Sequence, residues 1–239
     1  MPPLSNPYRL PVVLLVCEDR QVADEERFWY DDGLDPEDLA FHRLHGPWKR
    51  STPADALAML SRYDGDWWVA GGWAIDAFTG VHREHEDVDV SLWRRDIEKL
   101  RLHLRGSYDL WSNAGGRFQP LTDERPEQPE DADQIWLRKH ALSPWEFDVV
   151  VNPDRDGRWV FRRDPMLDFA LDDITWRAPD GVRYLNPEMA LAYKAKQARP
   201  KDELDLNAAL PLLSNDQRVW LADMIDHLHP GHPWPARIR

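Results

Sequence analysis

Residues 87–92 read Asp-Val-Asp-Val-Ser-Leu, and this short run constrains the fold more than any other part of the chain. Polar and apolar residues alternate as they do in a strand. Asp87 and Asp89 therefore leave one face, while Val88, Val90 and Leu92 leave the other and can enter a core. Such a strand needs a sheet around it. A chain of 239 residues with 42% hydrophobic content can supply one large domain, alone or with a smaller appendage. No apolar run approaches the roughly 20 residues of a membrane-spanning helix. The best candidate, LPVVLLVC at 10–17, is too short. Only Arg9 precedes it, charged residues follow it directly and no small-residue cleavage site is present, so it reads as a buried strand rather than a signal-peptide core. The single cysteine, Cys17, excludes an intrachain disulfide and fits a reducing cytoplasm.

The rest of the chain falls into three parts. Residues 1–50, rich in proline at the start and acidic from 19 to 38, read as an N-terminal extension. A region over 51–180 mixes helices and strands. It opens with Thr52 as N-cap, Pro53 in the first helical position and Ala56, Leu57, Leu60 and Tyr63 at helical spacing. Strands are expected at 67–70, 87–92, 108–112, 134–138 and 145–151, with helices over 73–79 (stopped by Gly80) and 96–104. The acidic, proline-bearing stretch 123–133 reads as an exposed loop. Residues 181–239 are helical: one helix from Asn186-Pro187 to about 199, a second after Pro200, and a third opened by a Ser214/Gln217 capping box. The fold class expected is α+β, a mixed sheet flanked by helices and followed by a helical C-terminal part.

Two carboxylates side by side repel unless a cation lies between them. Mg²⁺ prefers oxygen ligands and keeps room for phosphates, so Asp87 and Asp89 suit it. An acidic solvent face of an edge strand is the competing reading. Upstream, a strand breaks into Gly71-Gly72 before a helix, which lets backbone N–H groups approach a phosphate chain closely.

GGWAID at 71–76 followed by Arg83, His85, Asp87 and Asp89 in an R-x-H-x-D-x-D pattern resembles the nucleotidyltransferase superfamily typified by DNA polymerase beta. Within it the stretch is most similar to the aminoglycoside and lincosamide nucleotidyltransferases, which also carry Trp after the glycine pair. The resemblance is strong over 67–92. It implies that Asp87 and Asp89 bind Mg²⁺, as two ions, and that the Gly71-Gly72 turn holds a nucleoside triphosphate, with ATP the expected donor. Many members have Ser where Gly72 stands, so no hydroxyl contact carries over. A third carboxylate is expected on a neighbouring strand, as metal ligand, general base or both. Asp148 is the better match in WEFDVVV, and Glu146 remains the alternative.

Arg83 and His85, just before the carboxylates, are candidates for phosphate contact, and Asp76 is more plausibly a brace than a reactant. Lys194 emerges from a partly apolar helix face and could reach a phosphate. The histidines His227, His229 and His232 lack a second ligand pair at zinc spacing and read as structural or surface groups. A net charge of −13 weighs against nucleic acid as partner, and favours a small hydroxylated, cationic acceptor. A protein-modifying enzyme of the same fold, or a catalytically silent nucleotide-binding protein, would be told apart by a co-purifying partner or by nucleotide binding without product.

Overall fold

The computed structural model describes residues 43–239, and the strand expected at 10–17 lies outside them. In chain order come α1 (Pro53–Met59), β1 (Trp67–Val69), α2 (Gly71–Thr79), β2 (Asp89–Trp93), α3 (Ile97–His103), β3 (Asp109–Ala114), β4 (Arg117–Pro120), β5 (Gln134–Arg138) and β6 (Phe147–Asn152). There follow β7 (Asp154–Arg155), β8 (Arg158–Val160), β9 (Asp168–Phe169), α4 (Leu171–Ile174), β10 (Thr175–Arg177) and β11 (Arg183–Leu185). The chain then turns helical: α5 (Pro187–Lys194), α6 (Pro200–Ala209), α7 (Asn215–Leu228) and α8 (Trp234–Ile238).

Local chemistry accounts for the helix starts. Before α1, the Thr52 hydroxyl accepts from the Asp55 amide, and the Asp55 carboxylate accepts from the Thr52 amide at 2.8 Å. Ser214 and Gln217 make the same reciprocal box before α7. Pro53, Pro187 and Pro200 occupy first-turn positions, where a missing N–H costs nothing.

The main sheet has 8 strands in the order β10-β11-β1-β2-β6-β5-β3-β4, and β7, β8 and β9 form a separate antiparallel sheet. β2 lies near the middle, antiparallel to β1 and parallel to β6. Val88, Val90 and Leu92 are fully buried, as the alternation requires. Ser91 is buried as well, so beyond Asp89 both faces of β2 are covered. One core cluster joins the inner residues of α1 and α3, the central strands, and the apolar faces of α5, α6, α7 and α8. α2 packs on α5 and α6, which ties the helical part to the sheet. No helix of the described residues is long and apolar enough to cross a membrane.

The structure moves several expected boundaries. α2 begins at Gly71, so the glycine pair lies in its first turn rather than before it. The ladder of β2 begins at Asp89, which leaves Asp87 in the extended lead-in. The helix expected from 186 to 199 stops at Lys194. Pro200 excludes helical geometry at Arg199, which is extended at ψ 164°, and Ala198 turns the chain with φ +44°. β4, β7 to β11, α4 and α8 were not expected. Each spans two to five residues, too few to show a period. Residues 123–133 do form a largely exposed loop, pinned where Ala132 is buried and its carbonyl accepts from Arg94. Residues 45–49, expected within the extension, bond to Trp145: its indole Nε1–H donates to His45 O at 2.7 Å, and Lys49 N–H donates to Trp145 O at 2.7 Å.

Trp68 in β1 is 1% exposed and meets the Trp93 ring edge-on at 5.4 Å. Replacing Trp68 by Ala should cost about 3–5 kcal/mol in urea unfolding, with little change in slope. A loss under about 1 kcal/mol would contradict this packing.

Candidate active site

The parallel register of β2 and β6 sets Asp89 opposite Asp148, and the lead-in to β2 brings Asp87 beside them. Each of the three carboxylates offers an oxygen within 4.8 Å of the others, and among the described residues they form the acidic group close enough to share a metal ion. Asp87 and Asp89 are half-buried and Asp148 is 5% exposed. Burial pushes the Asp87 carboxyl up to about 7, with the charges of Asp89 and Glu86 adding to the effect. Asp148 is raised well above the ordinary carboxylate range by burial and then by Asp89 and Asp87. Asp89 is raised by burial, against the opposing pull of Lys194 and Lys201.

These residues fit a divalent cation. Asp148 Oδ1 is buried and has no hydrogen-bond partner, a cost that a bound cation would remove. Glu146 is not part of the group. It precedes the β6 ladder, accepts from the Tyr108 hydroxyl at 3.0 Å and faces Lys49 and Lys139 at 3.7 Å each.

The glycine pair is packed against the carboxylates. Gly71 has φ +65°, and a Cβ on it would stand 1.8 Å from Asp89 Oδ2. A Cβ on Gly72 would stand 2.1 Å from Arg83 Nη2 and 2.5 Å from His85 Cε1, so the arginine fills the space that a serine side chain would need. Ala70 at the N-cap of α2 offers no side-chain oxygen, which leaves the first amides of the helix for another acceptor. Trp73 fastens the β2 lead-in to α2, donating from Nε1 to Asp87 O at 3.0 Å, and its ring stacks on His85 at 4.4 Å.

Asp76 is buried and braces the same loop, meeting His85 Nε2 at 2.7 Å and accepting from the Arg83 amide at 3.2 Å. Burial holds the His85 pKa below its ordinary value, with Asp76 opposing. Arg83 donates to both oxygens of Asp205 at 2.8 and 3.1 Å. Burial disfavours the Arg83 charge, but the Asp205 hydrogen bonds outweigh it and the pKa is raised. Lys194 is 2.8 Å from the same Asp205 and 3.4 Å from Asp202, which Arg199 also contacts at 3.0 Å. Arg83, His85 and Lys194 thus gather around the carboxylates, each already held by an acid.

Asp202, Asp205 and Gln134, which donates to Asp148 Oδ2, were not singled out from the sequence as site residues. Arg83 and Asp205 are 122 residues apart, and no local pattern links them. His227 meets Asp164 at 2.8 Å, while the His229 and His232 rings lie 6.2 Å apart. A surface cavity of about 590 Å³ lies between Asp164 and α7, and the carboxylates are not among its lining residues.

Residues 54–112 match the family model described as aminoglycoside-2''-adenylyltransferase. No curated protein matches the chain. Similar solved structures include ANT(2")-Ia in complex with adenylyl-2"-tobramycin, at 17% identity over 72% of this chain and 93% of that one, with a TM-score of 0.45. Another is lincosamide antibiotic adenylyltransferase LnuA, lincomycin-bound, at 17% identity over 67% of this chain and 97% of that one, with a TM-score of 0.47.

A carboxylate whose pKa is higher in the folded chain than in the unfolded one contributes stability that is present below its ordinary pKa of 3.8 and is lost as pH rises through the folded value, about 7 for Asp87. In the metal-free protein, Asp148→Asn should therefore raise Tm, and by more at pH 8 than at pH 5. An equal effect at both, measured by calorimetry, would contradict the crowding of the three acids.

Proposed function

We propose that this chain, a nucleotidyltransferase related to the aminoglycoside and lincosamide enzymes, transfers a nucleoside monophosphate from an NTP to a hydroxyl of a small molecule. The acceptor oxygen bonds to the α-phosphorus, the bond from that phosphorus to the bridging oxygen breaks, and pyrophosphate leaves. The observation that carries the reading is the cluster of Asp87, Asp89 and Asp148 against the uncapped start of α2. Mg²⁺ held by these three carboxylates, as two ions, would neutralise charge on the α-phosphate and acidify the attacking hydroxyl.

The chain's own groups divide the remaining work. The amides of Gly71 and Gly72 are placed to donate to phosphate oxygens. Arg83 and Lys194, held on Asp205, set positive charge beside the leaving pyrophosphate. His85 has Nε2 engaged by Asp76, which leaves Nδ1 for a hydrogen bond. Asp148, beside Asp87 and Asp89 at the end of β6, is the carboxylate we assign to receive the acceptor's proton.

ATP is the donor in this reading, and the acceptor is a hydroxylated, cationic molecule of the aminoglycoside or lincosamide class. The description of the matched family and the net charge of −13 both support a cationic acceptor. The catalytic part takes in 51–180 and the helical part 181–239, with β11 joining the main sheet from the helical side. We place the protein in the cytoplasm, in keeping with its single cysteine.

The test is incubation with Mg²⁺ and each NTP against aminoglycosides, lincosamides and sugars, read as the mass gain of one nucleoside monophosphate. No adduct across the panel would contradict the proposal. Asp87→Asn and Asp89→Asn should each lower kcat by on the order of 10³-fold or more while the metal-free Tm holds or rises. Full activity in both variants would overturn the assignment.

A further inference from the structure

Asp148 must present one oxygen to the cluster, and the chain around it decides which. The decision starts in the hairpin between β3 and β4. The Gly116 backbone N–H donates to Asn113 Oδ1 at 2.8 Å, and a backbone amide has no other role available to it. That contact fixes the Asn113 amide, whose Nδ2 then donates to Gln134 Oε1 at 3.2 Å across the β3–β5 ladder, where the two residues are direct partners. With its oxygen engaged, Gln134 turns Nε2 to Asp148 Oδ2 on the neighbouring strand β6. Asp148 Oδ1 is left buried and without a partner. Asn113 is 4% exposed, so its amide has little water to turn towards.

We propose that Gln134 is a positioning residue, oriented by Asn113, that holds Asp148 Oδ2 and so leaves Oδ1 as the oxygen for the cation. This rests on the metal reading given above for Asp148. Outer partners of this kind commonly change metal affinity or activity by about 10–100-fold when removed.

The test uses Mn²⁺ binding to the full chain, followed by electron paramagnetic resonance, together with steady-state kinetics. Gln134→Leu should weaken Mn²⁺ binding by about 10-fold or more and lower kcat, with KM for ATP unchanged within about 3-fold. Asn113→Asp keeps the side-chain volume but replaces the Nδ2 donor with an acceptor. Gln134 then turns its Nε2 to residue 113 and its carbonyl oxygen to Asp148, and the same loss follows. The double variant should lose no more than the larger single loss, because both act through one contact. Mn²⁺ binding unchanged in both single variants, or losses that multiply in the double, would overturn the role of Gln134 and leave the metal reading standing. An unaltered chain that binds no Mn²⁺ would overturn both. Should Gln134→Leu fail to fold, the near-isosteric Asn113→Asp decides alone.

Discussion

Three carboxylates forced together at one end of a central strand pair govern this structure. The register that sets Asp89 beside Asp148 is also the register that buries Val90 and Leu92, so the acids cannot separate without moving the core. Burial pushes all three pKa values upward, neighbouring acids add to this at Asp87 and Asp148, and a divalent cation would relieve the strain. The neighbours are shaped to the same end. Gly71 leaves the room that Asp89 occupies, Trp73 pins the backbone of Asp87, and Asp148 keeps one oxygen unpaired.

A second layer of charge joins the sheet to the helices. Asp205 on α6 takes Arg83 from the β2 lead-in and Lys194 from α5, and Asp202 shares Lys194. Lys194 and both acids are nearly inaccessible, and each has a second partner: Asp205 also holds Arg83, Asp202 also holds Arg199, and Lys194 meets both acids. The network also works at a distance, since Lys194 opposes the rise in the Asp89 pKa.

What was legible in the sequence was local. Alternation at 87–92, the glycine pair and the capping boxes all act over about six residues or fewer, and each marks an element, although β2 begins at Asp89 and α2 takes in the glycine pair. Asp148 could be read because a carboxylate in an apolar strand stands out. Its position opposite Asp89 could not, because strand order depends on packing across the whole sheet. Lys194 was legible as a lysine on a partly apolar helix face, but its two acidic partners lie on the next helix, beyond a turn at Ala198 that propensity does not announce. Gln134 was missed for a related reason. An amide in a strand looks like ordinary edge polarity until the β5–β6 register sets it near Asp148.

The central claim is that the three carboxylates form a cation site held partly protonated by burial first and by one another's charge second. Calorimetric titration with Mg²⁺ in buffers of differing ionisation enthalpy counts the protons released on binding. The account predicts release near pH 7 that shrinks toward zero at pH 9, together with loss of the binding heat in Asp89→Asn. Binding with no proton release at either pH, or binding undiminished in that variant, would contradict it.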